Sequence, residues 1–323
     1  MTAAAPYPEF APGDRLRLNR RRMALRSRAR QKCLFGTIAL VAAIVSVSPA
    51  CARHRPPVPN TLPDRDAELL IDCARGTVLY ARNDAIERHP ASLTKMMTLY
   101  LVFERLKQGK LLPTTAFTVS PNAAAQPRAK LHLRAGSTID VEDAIRAIVI
   151  LSANDVAVTV AENVAGTEAH FTELMNEKAQ ELGMTHTFYH NASGLPDPLQ
   201  LTTASDLAIL ARHLVYDFPE DFHYFSLPSF AWHSHVFETH DALIGHYEGA
   251  DGLKTGYTDE SGYNLVSTAA RGGTRLIGIV MGGASASRRN REMEKLLDLG
   301  FATEAQRSAA AVRPGPTATL QAR

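Results

Sequence analysis

The chain has 323 residues, 45% hydrophobic and 21% charged. These fractions sit near globular averages, so most of it is expected to fold around a core as one large domain or two modest ones. The net charge of +2 conceals an asymmetry: nine Lys/Arg between Arg15 and Lys32 face only Glu9 and Asp14 in residues 1–52, leaving 26 basic and 31 acidic side chains in 53–323, a balance that gives no electrostatic case for nucleic acid as a partner.

The basic front leads into an apolar run at 34–47 and then Ser48-Pro49-Ala50-Cys51-Ala52. A basic flank, a short apolar core and an Ala-x-Ala exit read as a secretory signal cleaved after Ala52. The run is short for a membrane span, and a retained N-terminal anchor is the alternative. Met23 offers a second start beside Met1 that would give a signal of ordinary length. Arg20-Arg21-Arg22-Met23 stands too far from the apolar core for a good twin-arginine signal. Ser48 and Pro49 stand before Cys51 where a lipoprotein signal prefers an apolar and a small residue. The expected location is the periplasm or cell envelope. Cys33 and Cys51 fall in the leader, so Cys73 is left without an internal disulfide partner. Within Leu69-Leu70-Ile71-Asp72-Cys73 it reads as a packed core thiol.

Residues 53–66 are proline-rich and polar, an exposed linker. Two strands are expected at 68–73 and 77–82, joined by Ala74-Arg75-Gly76. A polar stretch to Pro90 precedes a central helix that Gly109 ends. Residues 111–137 show short alternating runs without helical period. Helices follow at 141–151, 155–164 and 168–182, the last stopped by Gly183. Residues 190–201 are a turn-rich loop, and Thr202 or Thr203 caps a helix at 203–216. Residues 225–246 read as strands, as do 252–258, 264–271 and 274–282. A closing helix is expected at 291–299 with Gly300 as its stop, and 303–323 as a disordered tail. Strands at both ends around a block of helices predict an α/β fold of the α+β type: an antiparallel sheet flanked by helices, with an inserted all-helical subdomain spanning the middle of a 67–302 domain.

Three short motifs carry the chemistry. Ser92 and Lys95, in Pro90-Ala91-Ser92-Leu93-Thr94-Lys95, stand three apart at a helix start and share a face. A neutral amine there can take the hydroxyl proton and make a nucleophile. Alone this spacing is weak, since about one is expected by chance in such a chain. Ser152-Ala153-Asn154 falls between two apolar helices, where a sharp connection presents a hydroxyl and an amide together; helix capping is the competing reading. Ser120-Pro121-Asn122 has the same spacing but no apolar flank to fix it. Lys254-Thr255-Gly256 lies on a strand, where a glycine weakens pairing unless another backbone or a ligand comes close; a substrate alongside is the reading adopted.

The ordered set Ser-x-x-Lys, Ser-x-Asn and Lys-Thr-Gly is the signature of penicillin-binding proteins and class A β-lactamases. With Met96-Met97-Thr98, Asp251-Gly252-Leu253 before the lysine, Tyr257-Thr258 after the glycine, and Gly262-Tyr263-Asn264-Leu265-Val266, the chain resembles the D-alanyl-D-alanine carboxypeptidases, the low-molecular-weight penicillin-binding proteins of the S11 peptidase family, over about residues 65–302. The resemblance implies a β-lactamase/transpeptidase-like fold, a peptidoglycan stem peptide as substrate, β-lactams as covalent inhibitors, and no cofactor. Carried onto this chain, Ser92 is the nucleophile, Lys95 its base and Ser152 a proton relay to the leaving amine. Asn154 would hold the substrate amide and Lys254 and Thr255 the substrate carboxylate. The N–H groups of Ser92 and Tyr257, beside Gly256, would form the oxyanion hole. Lys95 must be neutral, which desolvation and the positive Lys254 can enforce. Arg291 resembles a family arginine at the substrate carboxylate; a surface ion pair with Glu292 or Glu294 is the alternative. The C-terminal β-rich domain and membrane-docking helix of many family members find too little chain after Phe301, which leaves soluble or N-terminally anchored forms.

A β-lactamase needs a carboxylate for deacylation, and Gly194-Leu195-Pro196-Asp197-Pro198 offers only Asp197. An endopeptidase would use identical residues, and a wall-binding module would not need an intact motif set. His233, His235, His240 and His246 lack the carboxylates or cysteines of a metal site. No glycine-rich nucleotide loop is present.

Overall fold

The computed structural model describes residues 66–312. The expected leader, nearly all of the linker and the end of the tail lie outside the described residues.

A hairpin of β1 (Ala67–Asp72) and β2 (Val78–Arg82) opens the fold, and a 3-10 turn over Ala91–Thr94 runs into α1 (Lys95–Lys107). Next come β3 (Ala116–Thr118), α2 (Pro121–Ala125), β4 (Thr138–Asp140), α3 (Val141–Ile150), α4 (Asn154–Ala165), α5 (Glu168–Glu181) and α6 (Ala204–Asp217). A small hairpin, β5 (Ser229–Trp232) and β6 (His235–Glu238), precedes the long strands β7 (Ala250–Thr258), β8 (Gly262–Arg271) and β9 (Thr274–Gly283), and α7 (Ala286–Val312) closes the chain. The sheet runs β2-β1-β9-β8-β7, all antiparallel, so the first strand pairs with the last.

Both faces of that sheet are covered, which is why its central strands read as continuous apolar runs. Leu69 and Ile71 of β1, with Ile277, Ile279 and Met281 of β9, join the core shared with α1, α3, α4 and α6. Their alternates Leu70, Leu276 and Val280 pack with Met293, Leu296 and Leu297 of α7. Helix α1 is apolar nearly all round because it runs through the middle: Met96 to Phe103 are all buried. Cys73 is a fully buried free thiol in the larger core.

Several expectations are corrected. Gly300 does not stop the last helix, which runs on to Val312. A Cβ there would stand 2.6 Å from Leu276 Cδ1 and 2.8 Å from Leu70 Cδ2, so the glycine serves close helix–sheet approach. The start of the supposed tail is docked: Glu304 is buried and accepts from Arg75 in the first hairpin and from Arg307 at 2.7 Å. Within 225–246 only the β5–β6 hairpin is strand. The chain turns at 241–247 because the Asp241 carboxylate accepts the Leu243 N–H at 3.0 Å. Ser120 is a helix cap, accepting the Ala123 N–H at 2.9 Å.

The irregular stretch before β4 is fastened by one buried carboxylate. Asp155 accepts the Leu131 N–H at 2.9 Å and the Leu133 N–H at 3.0 Å from the first turn of α4. Asp155→Ala strands these buried donors and is expected to destabilise the protein by about 3 kcal/mol. A urea midpoint indistinguishable from wild type would refute that role.

Candidate active site

The turn at Ser92 is gripped from three sides. Ala91 takes a left-handed φ of +51°, unusual without a glycine. From β8, Asn264 Nδ2 donates to the Pro90 carbonyl at 3.2 Å, while its Oδ1 accepts the Gly282 N–H at 2.9 Å. From the 190–201 loop comes Gly194, φ +80°, where a Cβ would fall 1.9 Å from the Ala91 oxygen. From β7 comes Gly256, where a Cβ would stand 3.1 Å from the Ser92 nitrogen. The strand glycine therefore admits the nucleophile's own backbone, a refinement of the expectation that it made room for substrate alone.

Lys95 opens α1 and is fully buried. Its Nζ lies 3.1 Å from Ser92 Oγ and 2.7 Å from Asn154 Oδ1, and it donates to the Ser193 carbonyl. Two carbonyl acceptors satisfy the two N–H bonds of a neutral amine, and its lone pair is then free for the Ser92 hydroxyl. Burial, then the positive charge of Lys254, holds the Lys95 pKa well below that of a free lysine, with Asp155 opposing. Both causes match the expectation from sequence.

Ser152 sits between α3 and α4 with φ +61°, a conformation costly for a serine. Its Oγ is buried with no hydrogen-bond partner among the described residues. It does not cap: the residue before α4 is Ala153. Asn154 Nδ2 donates to Pro127 O at 3.1 Å, and its N–H donates to Ala129 O at 2.7 Å. The favoured pair, Ser152 and Asn154, is thus at the site and Ser120 is not.

On β7, Thr255, Gly256 and Tyr257 line a cleft of about 510 Å³ that also contains Ser92, Ser152 and Asn154. Lys254 is buried behind this wall, its Nζ donating to Thr255 O at 3.0 Å. Burial lowers its pKa to about 7, against the attraction of Asp241. Tyr257 is exposed, packs at a tilt against Tyr263 with ring centroids 4.3 Å apart and donates to Asp259 at 2.6 Å.

Arg291 is not brought to the cleft. It points to solvent and donates to Ser287 Oγ, one turn back. Arg289 lines the cleft instead, 4% exposed, with Nη1 donating to Asn264 O at 3.3 Å. The signal was present in the helical period: 289, 293, 296–297 and 300 share the buried face of α7, whereas 291 lies across from it. His240, weighed in the sequence only as a metal ligand, lines the cleft, and the buried Asp241 next to it gave no signal in the sequence. Burial pushes the Asp241 carboxyl up to about 6, despite the Leu243 N–H and the nearby Arg289 and Lys254. The four histidines do not converge, and among the described residues no group of three or more His, Cys, Asp or Glu could hold a metal.

Several known proteins are similar to this chain. D-alanyl-D-alanine carboxypeptidase DacA of Haemophilus influenzae is 36% identical over 239 residues, covering 72% of this chain and 61% of that protein. DacA of Escherichia coli is 34% identical over 279 residues, 84% of this chain and 69% of that one. Among solved structures, penicillin binding protein 5 from H. influenzae superposes with a TM-score of 0.71 at 36% identity, covering 73% of this chain and 70% of that one. Penicillin-Binding Protein D2 from Listeria monocytogenes, in its ampicillin-bound form, superposes at 0.64 and 34% identity, over 73% and 96%. The match to H. influenzae DacA spans about three-fifths of that relative's length. The family signature of the S11 peptidases, described as D-alanyl-D-alanine carboxypeptidase, covers residues 59–285 and with them the Ser92 turn, the Ser152 loop and the Lys254 strand; the chain belongs to this family.

Proposed function

We propose that this protein is an exported serine-type D-alanyl-D-alanine carboxypeptidase that removes the terminal D-alanine from peptidoglycan stem peptides. The carrying observation is the buried Lys95, 3.1 Å from the Ser92 hydroxyl, with its remaining donors engaged by Asn154 and Ser193. Neutral Lys95 takes the Ser92 proton as Oγ attacks the carbonyl of the penultimate D-alanine. The Ser92 and Tyr257 N–H groups receive the oxyanion. The C–N bond breaks, Ser152 passes a proton to the departing amine, and water later hydrolyses the ester. Asn154 holds the substrate amide; Thr255 and Arg289, with Lys254 behind them, hold the terminal carboxylate. The basic and apolar front of the sequence supports export. No described helix is long and apolar enough to cross a membrane.

A β-lactamase reading is weaker. Asp197 is not among the residues lining the cleft, and its carboxylate accepts the Leu199 N–H at 2.9 Å. The test is mass spectrometry after penicillin treatment together with D-alanine release from a stem peptide. A stable adduct on Ser92 with measurable release is expected, whereas rapid turnover of penicillin without release would favour the lactamase.

Lys254 supplies a second test. Lys254→Ala is expected to lower kcat/KM on the order of 100-fold. Its positive charge disfavours a second cation nearby, so removing it should raise the apparent pKa of the acylating base. Wild-type KM should rise as pH climbs through about 7, where Lys254 loses its proton. That alkaline limb should vanish in the variant, and identical pH profiles for the two proteins would count against the assignment.

A further inference from the structure

We propose that Arg128 reads a carboxylate on the acyl side of the substrate, separate from the terminal one, and so makes the cleft prefer acidic stem peptides. This rests on the carboxypeptidase reading and adds a specificity residue to it.

Arg128 lines the cleft beside Ser152 and Asn154. Its side chain is exposed, and among the described residues its guanidinium makes no hydrogen bond or ion pair. The backbone beneath it is nonetheless fixed. Asn154 bonds the carbonyls on both sides, Pro127 O at 3.1 Å and Ala129 O at 2.7 Å, and Asp155 holds Leu131 and Leu133 just beyond. A charged side chain left uncommitted on an anchored wall of a binding cleft is available to pair with a ligand group of opposite charge.

The sign of that group follows from the charge around it. Asp259 is the one carboxylate among the residues lining the cleft, and it already accepts the Tyr257 hydroxyl at 2.6 Å. The terminal carboxylate has its own partners in Thr255 and Arg289, on the wall made by β7 and α7. Arg128 stands in the irregular stretch between α2 and β4 on the other wall, next to the asparagine assigned to the substrate amide, and so faces the acyl portion. Stem peptides offer two carboxylates there: the α-carboxylate of a γ-linked D-glutamate, and the side-chain carboxylate of a diamino diacid at the third position. A guanidinium matches either by paired N–H···O contacts.

Three peptides ending in D-Ala-D-Ala distinguish the sources: one with a neutral diacetyl-lysyl acyl portion, one adding the D-glutamyl carboxylate, and one carrying the diamino diacid. In Arg128→Gln, the ratio of kcat/KM for the recognised acidic peptide to that for the neutral peptide should fall about tenfold relative to wild type. Arg128→Lys should retain part of the preference. Carbenicillin, which differs from benzylpenicillin by a side-chain carboxylate, reads the same contact through acylation rates alone, and its ratio to benzylpenicillin should fall likewise. Ratios unchanged for both acidic peptides and for the penicillin pair overturn the proposal. Failure of the carboxypeptidase reading would show separately, as no D-alanine released by wild type from any of the three peptides while the penicillin pair still responds to Arg128.

Discussion

Ser92→Ala should abolish the covalent penicillin adduct and lower D-alanine release by at least about 10⁴-fold, the scale seen when a nucleophile is removed from an otherwise intact site. The fold should be indifferent, because among the described residues the hydroxyl's one hydrogen-bond contact is with Lys95 Nζ. The turn itself is held through its backbone, by the Asn264 side chain at the Pro90 carbonyl and by the close approach of Gly194 and Gly256. Intact mass after penicillin treatment and the thermal midpoint together check both halves. A stoichiometric adduct on the alanine variant would remove Ser92 from the mechanism, while loss of the thermal transition would show the hydroxyl to be structural.

Lys95→Met should cost acylation on the order of 10³–10⁴-fold, the upper range for a general base, while leaving Ser92 in place. Methionine has similar length and is content in a buried site, so the change removes the proton acceptor with little change in volume. The pH dependence carries the diagnosis. In wild type, acylation should fall as pH drops through the lowered pKa of Lys95, because the ammonium has no lone pair for the serine proton. The residual rate of the methionine variant should lack that acidic limb. A variant within tenfold of wild type, or one with the limb intact, would assign the base elsewhere.

Where sequence reasoning succeeded, a local rule and the tertiary structure agreed. The apolar runs at 141–151 and 274–282 could bury themselves in few ways, and the three motifs fell on the helix start, loop and strand that their spacing implied. The failures came where tertiary contacts overrode a local signal. Gly300 has the sequence character of a helix stop, yet its missing side chain answers Leu70 and Leu276 across the interface. The resemblance to a family arginine points to Arg291, whereas helical phase singles out Arg289. The segment 225–246 alternates like strand throughout, but Asp241 turns the chain before the pattern is spent. Arg128 left no trace in sequence, because its place on the cleft wall comes from Asn154, 26 positions along the chain.

The two glycines that close on the nucleophile's turn have a consequence for how this protein tolerates change. Neither 194 nor 256 contributes a reactive atom, yet each occupies space in which even a methyl group would collide with, or press on, the backbone around residues 90–93. A saturation library selected for penicillin labelling should therefore be barren at Gly194, and nearly so at Gly256. Such mutational intolerance would mark steric keystones of the fold, two positions whose whole contribution is to be empty.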